Sequence, residues 1–428
     1  MSIRLYGPRL KFARGRARRS PPFPFVIIWN IIVRMNVFFY RYGSIAEPDI
    51  IKAMKTMDFS VDEYTREIHD KEYAPSAAVR EVGAYLQEHP ADCAFSINFF
   101  PFLSEVCNIF HIRYICLTVD CPVMELYSVS VKNEWNRIFV FDKEQQKDIE
   151  GYNPGHVFHQ PLGADVTKFD TLLSTTPASM KERFSHPVAF VGSLYTEKCP
   201  YDKVKDLPEK TAGYLDGLMA AQERVYGYYF VEELLTDRIV SDFKSHHPSF
   251  YRDPSPDSFL TDKRTLSQLY IANKIASNER IHTFSLVSER NGLDIYTASD
   301  TKKMPKGLKN RGLAKTLTEM PVIFNQSKIN LNVTSKAIRS GLPLRIFDIL
   351  SAGGLCITNY QSEIAELFVP GEEIVVYENQ DELPDIISYY LSNERLRAEI
   401  AAAGRERVKK DYSWEMQLSK MFLKAYSV

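Results

Sequence analysis

One stretch in the C-terminal third carries the residues best suited to hold an anionic ligand. Residues 327–354 read SKINLNVTSKAIRSGLPLRIFDILSAGG, in which a strand over 329–333 leads into a loop rich in serine, threonine, arginine and glycine. Pro343 then starts a helix, because proline suits the first helical turn. Negative charge is stabilised at a helix N-terminus, so the segment predicts a phosphate-binding site.

Three side chains of that run suit the parts of a nucleoside diphosphate. Arg339 and Arg345 can present guanidinium forks to a diphosphate, and Asp348 can accept hydrogen bonds from ribose hydroxyls. The alternative is a surface pair between Arg345 and Asp348, three residues apart on a helix, with Arg339 solvated. The apolar flanks favour the ligand site, to which we also assign Ser335 in the loop and Gly353 at the helix end.

A second candidate for anion binding follows the apolar run 188–191 (VAFV). Gly192 and Ser193 come where this strand ends, and a glycine there lets backbone N–H groups approach a phosphate. Lys198 can add a positive charge. A plain turn with an exposed lysine gives the same pattern, and taken alone the segment fits that plain turn somewhat better.

A single carboxylate stands at the end of another apolar run. Asp120 follows LTV at 117–119 and precedes a Cys-Pro pair. It can serve as a general base in a cleft, or it can cap the turn that follows the strand. The sequence favours neither interpretation.

The chain around these residues alternates apolar strand-like runs with helical segments. The run 36–40 (NVFFY) is almost wholly apolar, as expected for a strand buried on both faces, and similar runs recur to residue 160. A second alternation begins at 187. Such alternation predicts parallel sheets with helices on both faces. Strands of the second half are expected at 188–191, 283–287, 293–297, 329–333, 355–358 and 374–376.

The simplest arrangement is α/β, with two Rossmann-like domains facing each other across a cleft. Ligands of such folds bind beyond the carboxyl ends of the strands, which would place the site in that cleft. We expect an N-terminal domain over 35–165 and a C-terminal domain over 187–428. The latter is interrupted by a mainly helical insertion at about 201–280.

Composition excludes several classes of protein. Of the 428 residues, 45% are hydrophobic and 25% charged, which is ordinary for a globular chain. Lysine and arginine total 53 against 54 acidic residues, so no overall charge favours nucleic acid as a partner. Six scattered cysteines without a CxxC pair suggest free thiols in a reducing compartment, the cytoplasm.

Residues 1–34 differ from the rest, with eight basic side chains and no acidic one. Their apolar run, 23–33, is too short for a membrane-spanning helix, which needs about 20 residues. We favour a disordered or mis-assigned start, for which Met35 is a candidate first residue. A peripheral membrane contact and an export signal are the alternatives.

The sequence offers little to a metal ion. It contains no DxD motif, and the phosphate-loop and dinucleotide-binding patterns GxxxxGK[ST] and GxGxxG are also absent. His156 and His159 lie three apart in a strand-like run, so their side chains should face opposite ways. We therefore expect no bound metal. The aromatic segment 226–230 is expected in the core and not on a base-stacking surface.

Residues from about 321 to 425 resemble the CgeB-like, spore-maturation type glycosyltransferases of the GT-B superfamily. The resemblance is carried, in order, by SKINLN, RSGLPLRIFDILSAGG and NYQSEIAELFVPGEEIVVY. The segment 191–198 is similar to the GT-B phosphate loop, and 161–165 (PLGAD) is similar to its interdomain motif. The N-terminal half from Met35 is only generally similar, and residues 1–34 lie outside the resemblance.

This resemblance implies transfer of a sugar from a nucleoside diphosphate sugar without a bound metal ion. The C-terminal half would hold the donor, and the N-terminal half would hold an acceptor glycan, lipid or protein. By the same resemblance Asp348 contacts the donor ribose, while Gly192 and Lys198 contact the diphosphate.

Two positions depart from the family pattern. Ser340 stands where many retaining relatives have the first of two glutamates, and Ser193 stands where the phosphate loop has an arginine. Arg339 and Arg345 can supply that charge instead. These departures leave open whether the reaction retains or inverts the sugar's configuration.

We therefore predict a metal-independent GT-B glycosyltransferase with no cofactor besides its donor substrate. Asp120 and Arg345 are the expected catalytic residues, the former as a base or as a group that orients the acceptor. One alternative is a nucleotide-sugar epimerase of similar fold, and another is a non-enzymatic surface or assembly protein with a degenerate site. The donor sugar, its base, the acceptor and the oligomeric state are not specified by the sequence.

Overall fold

The computed structural model describes residues 35–197, 199–253, 255 and 257–427. The predictions for residues 1–34 and for Lys198 fall outside these residues. Within them, twelve strands form two six-stranded sheets. The strands are β1 Asn36–Tyr40, β2 Ser60–Tyr64, β3 Cys93–Ile97, β4 Arg113–Leu117, β5 Asn136–Val140, β6 Val157–His159, β7 Val188–Val191, β8 Leu293–Tyr296, β9 Leu308–Asn310, β10 Ile329–Asn332, β11 Cys356–Asn359 and β12 Val375–Tyr377.

Helices separate most of these strands and cover the sheets. No helix in the described part of the chain combines the length and apolarity needed to cross a membrane. The helices are α1 Glu47–Thr56, α2 Arg66–His69, α3 Pro75–Glu88, α4 Pro101–Phe110, α5 Lys143–Ile149, α6 Val166–Thr175, α7 Ala178–Arg183, α8 Glu209–Glu223, α9 Val231–Leu234, α10 Asp237–His246, α11 Asp262–Arg264, α12 Ala272–Arg290, α13 Met320–Gln326, α14 Leu344–Ser351, α15 Ile364–Leu367, α16 Leu383–Ser392, α17 Glu394–Asp411 and α18 Trp414–Ser427.

Both sheets are parallel throughout, as the sequence predicts. The first has the order β2-β1-β3-β4-β5-β6, and the second has the order β12-β11-β10-β7-β8-β9. In each sheet the chain reverses its direction of strand addition once, between β1 and β3 and between β7 and β10. Crevices for ligands form at such switch points, beyond the carboxyl ends of the strands.

The burial of the strands explains why they appear in the sequence as apolar runs. Strands β3, β5, β7, β8, β10 and β11 are buried at every position, because helices cover both sheet faces. The expected strands at 36–40 and 188–191 match β1 and β7 residue for residue.

The expected strand at 283–287 is wrong. These residues lie inside α12, and its buried positions there are Thr283, Phe284 and Val287. The spacing of one and four places them on one face of a helix. A short apolar run reads alike in a buried helix and a buried strand, and here the longer helical context decides. The insertion itself is mainly helical, as predicted, with α8 to α11 and a π-helical turn, Thr265–Ile271, that runs into α12.

The C-terminal domain boundary also needs correction. Helix α18 returns to the N-terminal sheet instead of staying with residues 187–413. The Phe422 ring packs 4.7 Å from that of Phe59, and Nε of Arg137 donates to the carbonyl oxygen of Ala425. The last helix therefore ties the two domains together, which the linear alternation of strands and helices could not reveal.

Candidate functional site

A cavity of about 380 Å³ lies between the two sheets, at the carboxyl ends of strands from both. The N-terminal half contributes the turn after β4, residues 119–121. The C-terminal half contributes the segments after β7 and β10 and the start of α14. Among the predicted site residues, the structure brings five together on its wall: Asp120, Gly192, Ser193, Ser335 and Arg345.

The turn after β7 is shaped by contacts that a larger residue would disturb. Gly192 has a φ of +157°, and a Cβ there would lie 2.9 Å from the ring of Phe190. The Ser193 hydroxyl accepts a 2.7 Å hydrogen bond from the backbone N–H of Tyr195 and donates one to Glu197. The backbone can thus approach a ligand closely at this point.

Arg345 enters the cavity from the first turn of α14, which follows Pro343. Its guanidinium lies 5.4 Å from the ring centroid of Phe324. Burial lowers the pKa of Arg345 and the Asp348 carboxylate partly offsets that effect. A partly buried guanidinium has lost part of its hydration, so a bound anion would interact with it more strongly than in water.

Asp348 lies one turn deeper than Arg345 on the same face of α14. Burial raises the pKa of its carboxyl to about 6, and Arg345 opposes this rise. Side chains of a helix lean toward its N-terminus, which directs Asp348 toward Arg345 and the cavity end of the helix.

Gly353 does not belong with these residues. It follows the C-terminal end of α14 with a φ of +79°, beside Asn325 and Arg405. A helix rises about 1.5 Å per residue, so the end of α14 is far from the cavity. Gly353 is a helix-terminating glycine, and its assignment to the donor site is corrected.

Arg339 is also placed differently from the prediction. Its guanidinium pairs with Asp148 of α5 at 2.5 Å, and this partner contributes to raising the pKa of Arg339 despite the opposing effect of burial. Its backbone N–H and those of Ser340 and Gly341 donate to the buried Asp142 carboxylate. Arg339 therefore links the two domains and does not face the cavity that holds Arg345.

Sequence reasoning missed a second cationic residue on the cavity wall, Arg280 of α12. It is 8% exposed and donates to the carbonyl oxygens of Ser193 and Val333, at 2.5 and 2.7 Å. Its guanidinium lies 4.3 Å from the ring centroid of Tyr195. Within the described residues its Nε has no hydrogen-bond partner. A buried, unsatisfied N–H is costly, and Arg280 places a second guanidinium on the cavity wall.

Asp120 stands at the N-terminal side of the cavity. Its Oδ2 accepts a 2.7 Å hydrogen bond from the side-chain amide of Asn98. The same residue also lines a second cavity, of about 610 Å³, enclosed by the ends of β1 and β3 and by part of the insertion. Asp120 therefore lies where the two cavities approach each other.

His156 and His159 have separate partners. Nδ1 of His156 lies 3.0 Å from Oδ1 of Asn153, whereas Nε2 of His159 lies 2.7 Å from Oε2 of Glu363. The described residues contain no group of three or more histidine, cysteine or acidic side chains able to hold a metal ion.

Three solved structures show the same fold at low sequence identity. A glycosyltransferase from Rickettsia africae ESF-5 matches with a TM-score of 0.51 and 11% identity, over 92% of this chain and 98% of that one. HepE of Anabaena, solved in complex with UDP and glucose, matches with 0.50 and 11%, over 92% and 100%. Sucrose-phosphate synthase of Thermosynechococcus elongatus matches with 0.52 and 10%, over 92% and 100%.

Sequence comparison gives a narrower result. Residues 282–422 match the family model described as "Glycosyl transferase-like", and no curated protein sequence matches the chain. The matched region contains the start of α14 with Arg345 and Asp348, whereas Arg280 lies just outside it. The chain is thus similar to the glycosyl transferase-like family over residues 282–422, and its two-domain fold is that of the GT-B glycosyltransferases.

Proposed function

We propose that this protein transfers a sugar from a nucleoside diphosphate sugar to an acceptor bound by the N-terminal domain. One observation carries the proposal: a single cavity joins Gly192, Ser193, Ser335 and Arg345 of the C-terminal half to Asp120 of the other half. A diphosphate and a proton-accepting carboxylate would then face each other across the cleft.

Cationic side chains and backbone donors would stabilise the leaving diphosphate. Arg280 and Arg345 both reach the cavity wall, and the N-terminus of α14 adds its partial positive charge. Such preorganised donors can stabilise the charge that develops as the glycosidic bond breaks. We propose on this basis that the reaction needs no metal ion. Lys198, outside the described residues, is a further candidate by resemblance to the GT-B phosphate loop.

Asp120 would act on the acceptor. Its position between the two cavities suits removal of a proton from an acceptor hydroxyl, or orientation of that hydroxyl toward the sugar. Asp348 would contact the donor ribose, as the resemblance implies, from one turn below Arg345.

Three finer assignments are part of the same proposal. The CgeB-like subtype rests on the motifs at 321–425. A cytoplasmic location is supported by the six cysteines, which are all free thiols. UDP is the first nucleotide to test, because the HepE structure contains it.

The test is thermal stabilisation of the purified protein by a panel of nucleotides and nucleotide sugars, with and without EDTA. A ligand at 100 times its Kd adds about 2.7 kcal/mol to the free energy of unfolding. We expect one nucleoside diphosphate to stabilise the protein equally with EDTA present. Stabilisation by none of them would contradict the proposal.

Product analysis separates transfer from epimerisation. A transferase releases free nucleoside diphosphate and a glycosylated acceptor, whereas an epimerase returns an isomerised nucleotide sugar. The second cavity beside Asp120 favours transfer, because epimerisation requires no acceptor.

A further inference from the structure

The second cavity has a distinct composition that bears on what the acceptor is. It lies at the switch point between β1 and β3, where Tyr40, Tyr42 and the segment 98–102 meet. Its volume of about 610 Å³ is in the range of small-ligand sites, roughly 300–1,000 Å³. The Asp120 carboxylate, on its wall, is also on the wall of the donor-side cavity.

Aromatic rings form one wall. The rings of Phe100 and Phe102 pack edge-on against Tyr40, with centroids 5.0 and 5.2 Å apart, and Phe100 packs in the same way against Tyr42 at 5.5 Å. Both phenylalanines are only partly buried. This interlocked cluster offers rigid, flat apolar surface to a ligand at little cost in side-chain entropy.

The insertion also lines this cavity, with Tyr251 and Asp253. The backbone N–H of Tyr251 donates a 2.8 Å hydrogen bond to the Tyr270 hydroxyl. Nearby, the ring of Phe259 stacks on Tyr152 of the N-terminal domain, with centroids 3.9 Å apart. The insertion is thus anchored on the N-terminal domain, and its position defines the cavity.

The charged side chains among the described residues that line this cavity are all acidic. Four carboxylates line it, and neither lysine nor arginine is among its described lining residues. Tyr40 donates to Glu67 at 2.5 Å, and the backbone N–H of Ser255 donates to Asp253 at 2.8 Å. Ionised carboxylates accept hydrogen bonds and donate none, so they suit hydroxyl or ammonium groups. The four are Glu67, Asp120, Glu125 and Asp253.

We infer that the acceptor group entering this cavity is a sugar residue that carries no carboxylate, phosphate or sulfate. The C–H face of a pyranose ring fits the aromatic wall, and its hydroxyls or a protonated amine fit the carboxylates. An anionic sugar would be repelled, because like charges brought together in a partly desolvated site disfavour binding. The inference rests on the proposed glycosyl transfer and narrows its acceptor to one chemical class.

The test uses matched probes that differ only in charge. Methyl glycosides of glucose, galactose, mannose, N-acetylglucosamine and glucosamine are compared with the corresponding uronides and 6-phosphates. Binding to the full chain saturated with UDP is followed by saturation-transfer NMR, and transfer is followed by mass spectrometry with UDP-sugars. We expect at least one uncharged or amine-bearing glycoside to bind at least 10-fold more tightly than its uronide and 6-phosphate.

Two variants probe the two features of the cavity separately. The double change Glu125→Gln with Asp253→Asn should reduce the preference over the uronide at least threefold, and Phe102→Ala should weaken binding of every glycoside. The exposed residues Glu399 and Tyr389 provide matched controls, Glu399→Gln and Tyr389→Ala, that should change neither.

The outcomes separate this inference from the proposed function. Equal or tighter binding of the anionic glycosides, or no binding by any glycoside while UDP still binds, would overturn the acceptor class alone. The proposed function is tested independently by the nucleotide panel. Unchanged charge preference in the double variant, with its Tm and UDP affinity intact, would also count against the inference.

Discussion

The side-chain amide of Asn98 donates a 2.7 Å hydrogen bond to Oδ2 of Asp120, across the ends of β3 and β4. Oδ1 of Asn98 in turn accepts from the backbone N–H of Val119 at 3.0 Å. Asn98 has a φ of +58°, a left-handed conformation that asparagine tolerates better than most residues. The two strand ends are thereby joined, and the Asp120 carboxylate is held facing both cavities.

The first prediction concerns this carboxylate. Asp120→Asn should lower kcat by about 10² to 10⁴, the usual contribution of general acid–base catalysis. The Kd for UDP should change less than threefold, because the proposed diphosphate site lies in the other domain. Steady-state kinetics and calorimetry measure the two quantities. The exposed Asp216, changed to Asn, serves as the control, and undiminished turnover in Asp120→Asn would remove Asp120 from the mechanism.

The second prediction contrasts two arginines of one sequence motif. Arg345→Ala should weaken UDP binding at least 10-fold, since a charge-assisted hydrogen bond contributes about 1.5–3 kcal/mol. Arg339→Ala should leave UDP affinity within threefold, because Arg339 pairs with Asp148 instead. Calorimetric titration of both variants tests this, and the reverse ranking would refute the placement of the diphosphate.

The third prediction concerns Arg280, which lies outside the recognised motifs. Arg280→Gln should weaken UDP binding at least 10-fold while binding of uridine is little affected, because the guanidinium would meet the phosphates that uridine lacks. Its hydrogen bonds to Ser193 and Val333 also position the turn after β7. Arg280→Lys, which keeps the charge, therefore separates a loss of charge from a loss of position. Equal UDP and uridine losses in both variants would indicate a purely structural role.

How far the sequence predicts this site depends on which contacts are local. The turn at Gly192 and the start of α14 are short-range features, which glycine and proline mark in the sequence. Both features were predicted, and residues of both line the cavity. Arg280 comes from a helix about 50 residues before α14, and its value depends entirely on where that helix packs. Arg339 is the opposite case. It lies in the motif that predicts the donor site, but its guanidinium forms an ion pair with Asp148 of the other domain. Neither tertiary pairing leaves a periodic pattern in the sequence.

The fourth prediction concerns the contact that joins the domains. The buried Asp142 carboxylate accepts backbone hydrogen bonds from Arg339, Ser340 and Gly341, at 2.7, 2.9 and 3.2 Å. A Cβ at Gly341 would overlap the carbonyl oxygen of Phe141, so the loop has little room to adjust. Asp142→Asn should lower the free energy of unfolding by about 1.5–3 kcal/mol or more. The charge-assisted hydrogen bonds are lost, and the new amide N–H group would face other N–H donors.

Differential scanning calorimetry and small-angle scattering check this effect. We expect a Tm lowered by about 2–3 °C, at roughly 1 °C per kcal/mol for a chain of 428 residues, together with a larger radius of gyration. Asp216→Asn again provides the control. An unchanged Tm would show that Asp142 does not hold the domains together.

The fifth prediction uses the pH dependence of Asp348. Its pKa is raised to about 6 from the ordinary value of 3.8, chiefly by burial. The folded state therefore binds the proton more tightly than the unfolded state, and the contribution of this carboxyl to the free energy of unfolding falls as pH rises from about 4 through 6.

Asp348→Asn removes this titration. Relative to wild type, the Tm of the variant should rise by about 3 °C between pH 4 and pH 7.5, as measured by calorimetry without nucleotide. A difference in Tm that is constant across this range would contradict the burial of the ionised carboxylate, and with it the placement of Asp348 beneath Arg345. The same variant titrated with UDP and with the free diphosphate tests the ribose contact, since only UDP binding should weaken.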